Sequence, residues 1–172
     1  MLKEIELAYA SGLYRLALFS VLTLPDICGA LRSSNGEADS KKYSDWYDEF
    51  VRPKYQVLSG KEAYQYRSSA LHQGKAAPQG SQYKDYERII FLAYSPNSIT
   101  VKRVIGKDKN TGELRAAIVI DLKLLIHAIL SGTYEFLKIA KGTESFDINY
   151  ENFMRLYPEG ISPWIVDAPV IG

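Results

Sequence analysis

The sequence predicts a mainly α protein: a helical bundle of four to five helices with a small antiparallel β-sheet insertion at about residues 87–120. Three observations predict it. Apolar residues recur at helical spacing over two long segments, Leu2 to Leu22 and Leu122 to Lys141. A Ser-x-x-Glu capping box at Ser59 and a glycine stop at Gly74 bracket another helix. Between these helices lie short β-branched, apolar runs separated by a turn, Lys109-Asn110-Thr111-Gly112. The chain has 172 residues, 47% apolar and 24% charged. That suits a single domain, 1–172, whose core needs no disulfide or metal.

The elements follow in order. Leu2, Ile5, Leu13, Leu16, Ala17 and Val21 fall largely on one side of a helix. Pro25 lies in the same pattern and either kinks that helix or starts a second at Pro25-Asp26-Ile27. Arg32 to Lys42 reads as a surface loop, and Tyr43 to Phe50 as a helix with Trp46, Tyr47 and Phe50 on one face. After the capped helix and a loop at Lys75–Lys84, Ile89–Tyr94, Ile99–Val104 and Arg115–Ile120 read as strands. The long helix Leu122–Lys141 ends at Gly142. A short helix is expected from about Asn149 to Leu156, and the Pro-rich tail as an extended strap.

Several function classes drop out. The net charge of +1 supplies no global field toward nucleic acid or a membrane, so any such contact must be local. Cys28 is the only cysteine, which excludes an intrachain disulfide and leaves it as a small buried hydrophobe. Lys3, Glu4 and Glu6 interrupt the N-terminus, so a signal peptide is not expected. Nor is a membrane span, and the expected setting is cytoplasmic. There is no Gly-x-x-x-x-Gly-Lys-Ser/Thr, no Gly-x-Gly-x-x-Gly, no Cys-x-x-Cys and no His-Glu-x-x-His. Neither cofactor nor metal is expected.

What remains sits on the capped helix. His72 and His127 are the only histidines. Ala63, Tyr66, Ala70 and Leu71 form an apolar stripe, and Arg67 lies within it by spacing, where a guanidinium must be paired or line a cleft. His72 is five residues on, about 140° round the helix and about 7.5 Å along it. The two do not stack as an i, i+4 pair, but arginine is long enough to reach across. The pair suits cleavage of a phosphodiester that has a 2′-hydroxyl neighbour. His72 would take and give the proton, and Arg67 would hold the phosphate and stabilise transition-state charge. Ser68 and Ser69 would donate nearby, and that reaction needs no metal.

Arg-x-x-x-x-His late in a helix of a small, mainly helical protein resembles the HEPN superfamily. That family's signature is an arginine, usually a polar residue next, then the histidine; Arg67, Ser68 and His72 fall on those positions. The resemblance implies an up-and-down bundle, a homodimer that brings two motifs together, and metal-independent RNA cleavage, often by toxins or phage-defence proteins. Expected partners are then a second copy, RNA, and an antitoxin or other protein. The sequence departs from the pattern at Ser68, where Asn, Asp or His is more usual, and in its β insertion. Arg67 and His72 are thus the candidate catalytic residues, with Ser68, Asp26 and Tyr66 in support.

Plainer readings stand beside these. Arg67 would anchor a buried carboxylate such as Asp26, and His72 would sit as a cation at its helix C-terminus. Asp26 would cap a first turn, or orient Arg67 or His72. His127 reads as a core histidine. The hairpin cations Lys102, Arg103, Lys107 and Lys109 read as a solvated edge. The 13 tyrosines favour half-buried seams, and a dimer seam round the capped helix is where the excess is expected. The rival to an enzyme is a non-catalytic helical module that binds a partner protein or RNA without cleaving it.

Overall fold

The computed structural model describes residues 1–75, 86–94 and 103–172. The helices are α1 (Leu2–Ala10), α2 (Tyr14–Leu31), α3 (Ser40–Phe50), α4 (Gly60–Gln73), α5 (Leu122–Ala140) and α6 (Glu144–Glu151). Strands β1 (Arg88–Leu92), β2 (Val104–Lys107) and β3 (Leu114–Asp121) lie between α4 and α5. The chain is mainly α with a small β insertion, as its sequence predicts.

The first apolar segment is two helices, not one. Gly12 takes φ +75°, open to glycine at little cost, and the chain reverses there. The Gly12 and Leu13 amides donate to the Tyr9 and Ala8 carbonyls at 3.0 and 2.8 Å, closing α1. The apolar spacing hid the break because both helices face the same core. α2 then continues through Pro25 without a break, so no second helix starts there. It is long and apolar enough to cross a membrane by length and composition, and 56% of it is buried within the fold.

α2 and α5 supply the centre of the core. Val21, Leu22 and Leu24 of α2 and Leu125, Ile129 and Phe136 of α5 are each at most 2% exposed. Burying side chains of this size stabilises by about 1.5–3 kcal/mol each. α3 closes one side with an aromatic row. Tyr43, Trp46 and Tyr47 are wholly buried, and Trp46 meets Phe136 edge-on at 6.2 Å. Part of the tyrosine excess is therefore core: Tyr43, Tyr47, Tyr55 and Tyr66 are all buried.

The sheet order is β1-β3-β2. β2 and β3 pair antiparallel across the expected turn, whereas β1 joins β3 in parallel, which the sequence does not predict. The expected strand residues Ile99 to Lys102 and most of the loop at Lys75–Lys84 lie outside the described residues. β3 passes directly into α5 at Asp121, whose side chain accepts from the Leu124 amide while its own amide donates to the Tyr55 hydroxyl.

The C-terminal third also departs from expectation. α6 begins at Glu144, five residues before the expected start, and has ended by Asn152. Asn149 lies inside it and donates its side-chain amide to the Ala30, Leu31 and Ser33 carbonyls, capping the end of α2. The tail is not a plain strap but four two-residue strands, paired antiparallel as Leu156–Tyr157 with Val170–Ile171 and Gly160–Ile161 with Ile165–Val166.

Candidate functional site

α4 is fixed at both ends by its own sequence. Ser59 accepts from the Glu62 amide, and Glu62 accepts from the Ser59 amide at 2.8 Å, so the expected capping box is made. The Gly60 amide donates to Asp48 of α3, locking the start of α4 to α3. At the other end Gly74 takes φ +63°, the left-handed stop. Arg67 and His72 project from the last two turns between these anchors.

The structure brings the pair together. Arg67 Nη1 lies 3.3 Å from His72 Nε2. Guanidinium nitrogens only donate, so Nε2 accepts, which places the proton of a neutral imidazole on Nδ1. His72 is exposed, and the Arg67 side chain is 19% exposed. The other arm of the guanidinium turns inward: Nη2 forms an ion pair with Asp26 Oδ2 of α2 at 2.6 Å. A line therefore runs Asp26–Arg67–His72 from the interior to the surface. The sequence could not choose between Arg67 facing a buried carboxylate and Arg67 facing the histidine; the fork does both. Asp26 is not a first-turn cap, because it lies deep inside α2.

The electrostatics follow the burial. Desolvation pushes the Asp26 carboxyl above the usual carboxylate range, opposed first by Arg67 and then more weakly by His72. Tyr43 of α3 lies within electrostatic reach of Asp26 and Arg67, and burial pushes its phenol well up. Sequence reasoning placed Tyr43 only at a helix start. No local motif marks it, because its role comes from the crossing of α3 with α2 and α4.

The other expected residues separate. Tyr66 is buried and packs on Phe91 of β1 at 5.0 Å, with its phenol pushed up to about 12 by burial. It ties α4 to the sheet. Ser68 is half-buried beside Arg67, and Ser69 is buried. His127 is not a core histidine: it is exposed and lines a groove of about 440 Å³ between α1 and α5, with Tyr9 and Tyr134. Its spacing on an apolar helix put it inside, but at that point α1 leaves α5 uncovered. Among the expected hairpin cations, Arg103, Lys107 and Lys109 are exposed, and Lys102 lies outside the described residues. Among the described residues no group of three or more His, Cys, Asp or Glu side chains could hold a metal ion. Compared with family models, curated proteins and solved structures, the chain matches none.

Proposed function

We propose that this protein is a metal-independent endoribonuclease of HEPN type, acting as a homodimer in the cytoplasm, with a toxin or phage-defence role. The observation that carries the reading is the 3.3 Å contact between Arg67 Nη1 and the solvent-facing His72 Nε2, with Arg67 braced from behind by Asp26.

In the reaction, a ribose 2′-oxygen bonds to the adjacent phosphorus and the bond from phosphorus to the 5′-oxygen breaks. The 2′ proton leaves to His72, or to the His72 of a second copy, and a proton is returned to the departing 5′-oxygen. The products are a cyclic phosphate and a free 5′-hydroxyl. Arg67 holds the phosphate oxygens as charge builds on them. Dimerisation has a surface to use. Leu16 and Phe19 are exposed on α2 and lie within about 80° of Asp26 round the helix, so an apolar stripe leads to the site.

Exposed Leu7, Leu13, Leu16 and Phe19 also favour a second reading, a non-catalytic module that docks a partner protein or RNA through α1 and α2. One assay separates the two. Purified protein is incubated with structured RNA in EDTA, wild type beside His72→Ala. His72 is exposed, so the variant should fold normally and lose cleavage. Equal cleavage by both proteins, or none by either, refutes the ribonuclease reading.

A further inference from the structure

Three helices bring Asp26, Tyr43 and Arg67 within electrostatic reach of one another. The Tyr43 hydroxyl and Arg67 Nε are each buried without a hydrogen-bond partner among the described residues, and the one partner of Asp26 Oδ2 among them is Arg67 Nη2. Tyr43 is 0% exposed, its ring stacked on Tyr47 at 6.3 Å and edge-on to Tyr64 at 5.4 Å. Tyr64 stands three residues before Arg67, on the same side of α4. α2 and α3 lie close here: a Cβ on Gly29, one turn beyond Asp26, would come within 3.3 Å of the Lys42 backbone, next to Tyr43. The phenol feels the charges of both Asp26 and Arg67.

The three atoms are chemically complementary. The phenol O–H and the Nε–H donate, and the carboxylate oxygen accepts. A wholly buried hydroxyl that makes no bond is a liability that phenylalanine would avoid at the same volume. Tyr47 carries an equally unbonded hydroxyl, but Tyr43 lies within electrostatic reach of Asp26 and Arg67, so a second arrangement of the site has a use for it. In the arrangement described, Arg67 gives Nη2 to Asp26 and Nη1 to His72. A guanidinium that grips a phosphate must turn an edge outward, and Asp26 then loses its counter-charge in a desolvated place.

We propose that Tyr43 is a positioning residue of this site: when Arg67 turns outward to an anionic oxygen, the Tyr43 hydroxyl donates to Asp26 Oδ2 in its place. The bond keeps the carboxylate ionised and frees the arginine. What draws Arg67 out rests on the reading of Arg67 as a phosphate clamp, whereas the role of Tyr43 at Asp26 is measurable without any cleavage.

The test is a double-mutant cycle read at Asp26. Its carboxyl titration is followed by ¹³C NMR in wild type, Tyr43→Phe, Arg67→Met and the double variant. His72 is titrated in parallel, since it and Arg67 on α4 and Tyr43 on α3 are the ionisable groups facing the carboxylate. With Arg67 in place, Tyr43→Phe should barely move the Asp26 midpoint. With Arg67→Met, which stands for the arginine gone, Tyr43→Phe should raise it by about one pH unit. Equal movements in both backgrounds overturn the proposal. If Arg67→Met does not fold, Arg67→Gln, which also removes the charge but keeps a polar side chain, takes its place and is read the same way. Tyr43→Phe alone should melt at or above the wild-type temperature. A lower melting temperature would mean that the hydroxyl is already bonded at rest, and would also overturn it. Absence of RNA cleavage by wild type would remove the ribonuclease reading and leave the cycle standing.

Discussion

Truncating Arg67 to alanine tests the frame on which the site is built. Asp26, whose side chain is 13% exposed beside Arg67, would then have no counter-charge. Removing one partner of a buried pair costs about 3–5 kcal/mol, and the partial exposure here sets the expectation at about 2–4 kcal/mol. In a chain of 172 residues that is a fall in Tm of roughly 5–15 °C. The pH dependence has a definite sign. Burial raises the Asp26 pKa and Arg67 is the main influence lowering it, so the variant's Asp26 rises further. A carboxyl whose folded pKa is raised favours the fold below its unfolded pKa and loses that contribution as pH rises through the folded value. The penalty of Arg67→Ala is therefore small in acid. It grows between the wild-type and variant Asp26 midpoints by about 1.4 kcal/mol per pH unit, then levels off. Urea unfolding of both proteins from about pH 4 to pH 8 measures this. Adding Asp26→Asn should recover part of the loss and flatten the profile. A penalty that is the same at every pH, or no recovery by Asp26→Asn, would refute the argument that Arg67 holds a desolvated carboxylate.

Further outcomes follow from the packing. Gly60→Ala places a Cβ 2.1 Å from the Ser44 carbonyl oxygen, a backbone clash that neither α3 nor α4 can relieve locally. A loss of about 3 kcal/mol or more is expected in chemical unfolding, since overpacking against backbone exceeds the usual 1–3 kcal/mol. Tyr47→Phe removes a buried hydroxyl that has no partner among the described residues, so the variant should be as stable as wild type or up to about 1 kcal/mol more stable. Cys28 is buried, and burial pushes its thiol up to about 12. Native protein should resist a thiolate-directed alkylating reagent, with labelling that follows unfolding; rapid labelling under native conditions would contradict the packing of α2 on α5.

Much of the chain was legible because its signals are local. Ser59, Glu62 and Gly74 marked α4 with side chains that act within one turn of themselves. The apolar spacing of α5 needs only the 3.6-residue period. Failures came where one local signal served two outcomes. The Leu2–Leu24 pattern fits one helix or two that share a core, and Gly12 decided between them. Asn149 looked like a helix start, but it is used inside α6 to cap α2, 118 residues away from Leu31. Parallel pairing of β1 with β3 is a long-range choice that no short run encodes.

The site divides along the same line. The sequence by itself determined that histidine chemistry has two places to live and that one of them, His72, shares a capped helix with a core-facing arginine, because composition and helix geometry are properties of the chain alone. It also determined that such an arginine must be paired or line a cleft, because an unpaired guanidinium is costly in a low-dielectric interior. Only the tertiary structure decided that the partner is Asp26, that the same fork also reaches His72, and that the buried, unbonded Tyr43 hydroxyl lies within electrostatic reach of both Asp26 and Arg67. Those relations depend on how α2, α3 and α4 cross, which is set by packing over the whole core rather than by any residue's neighbours in sequence.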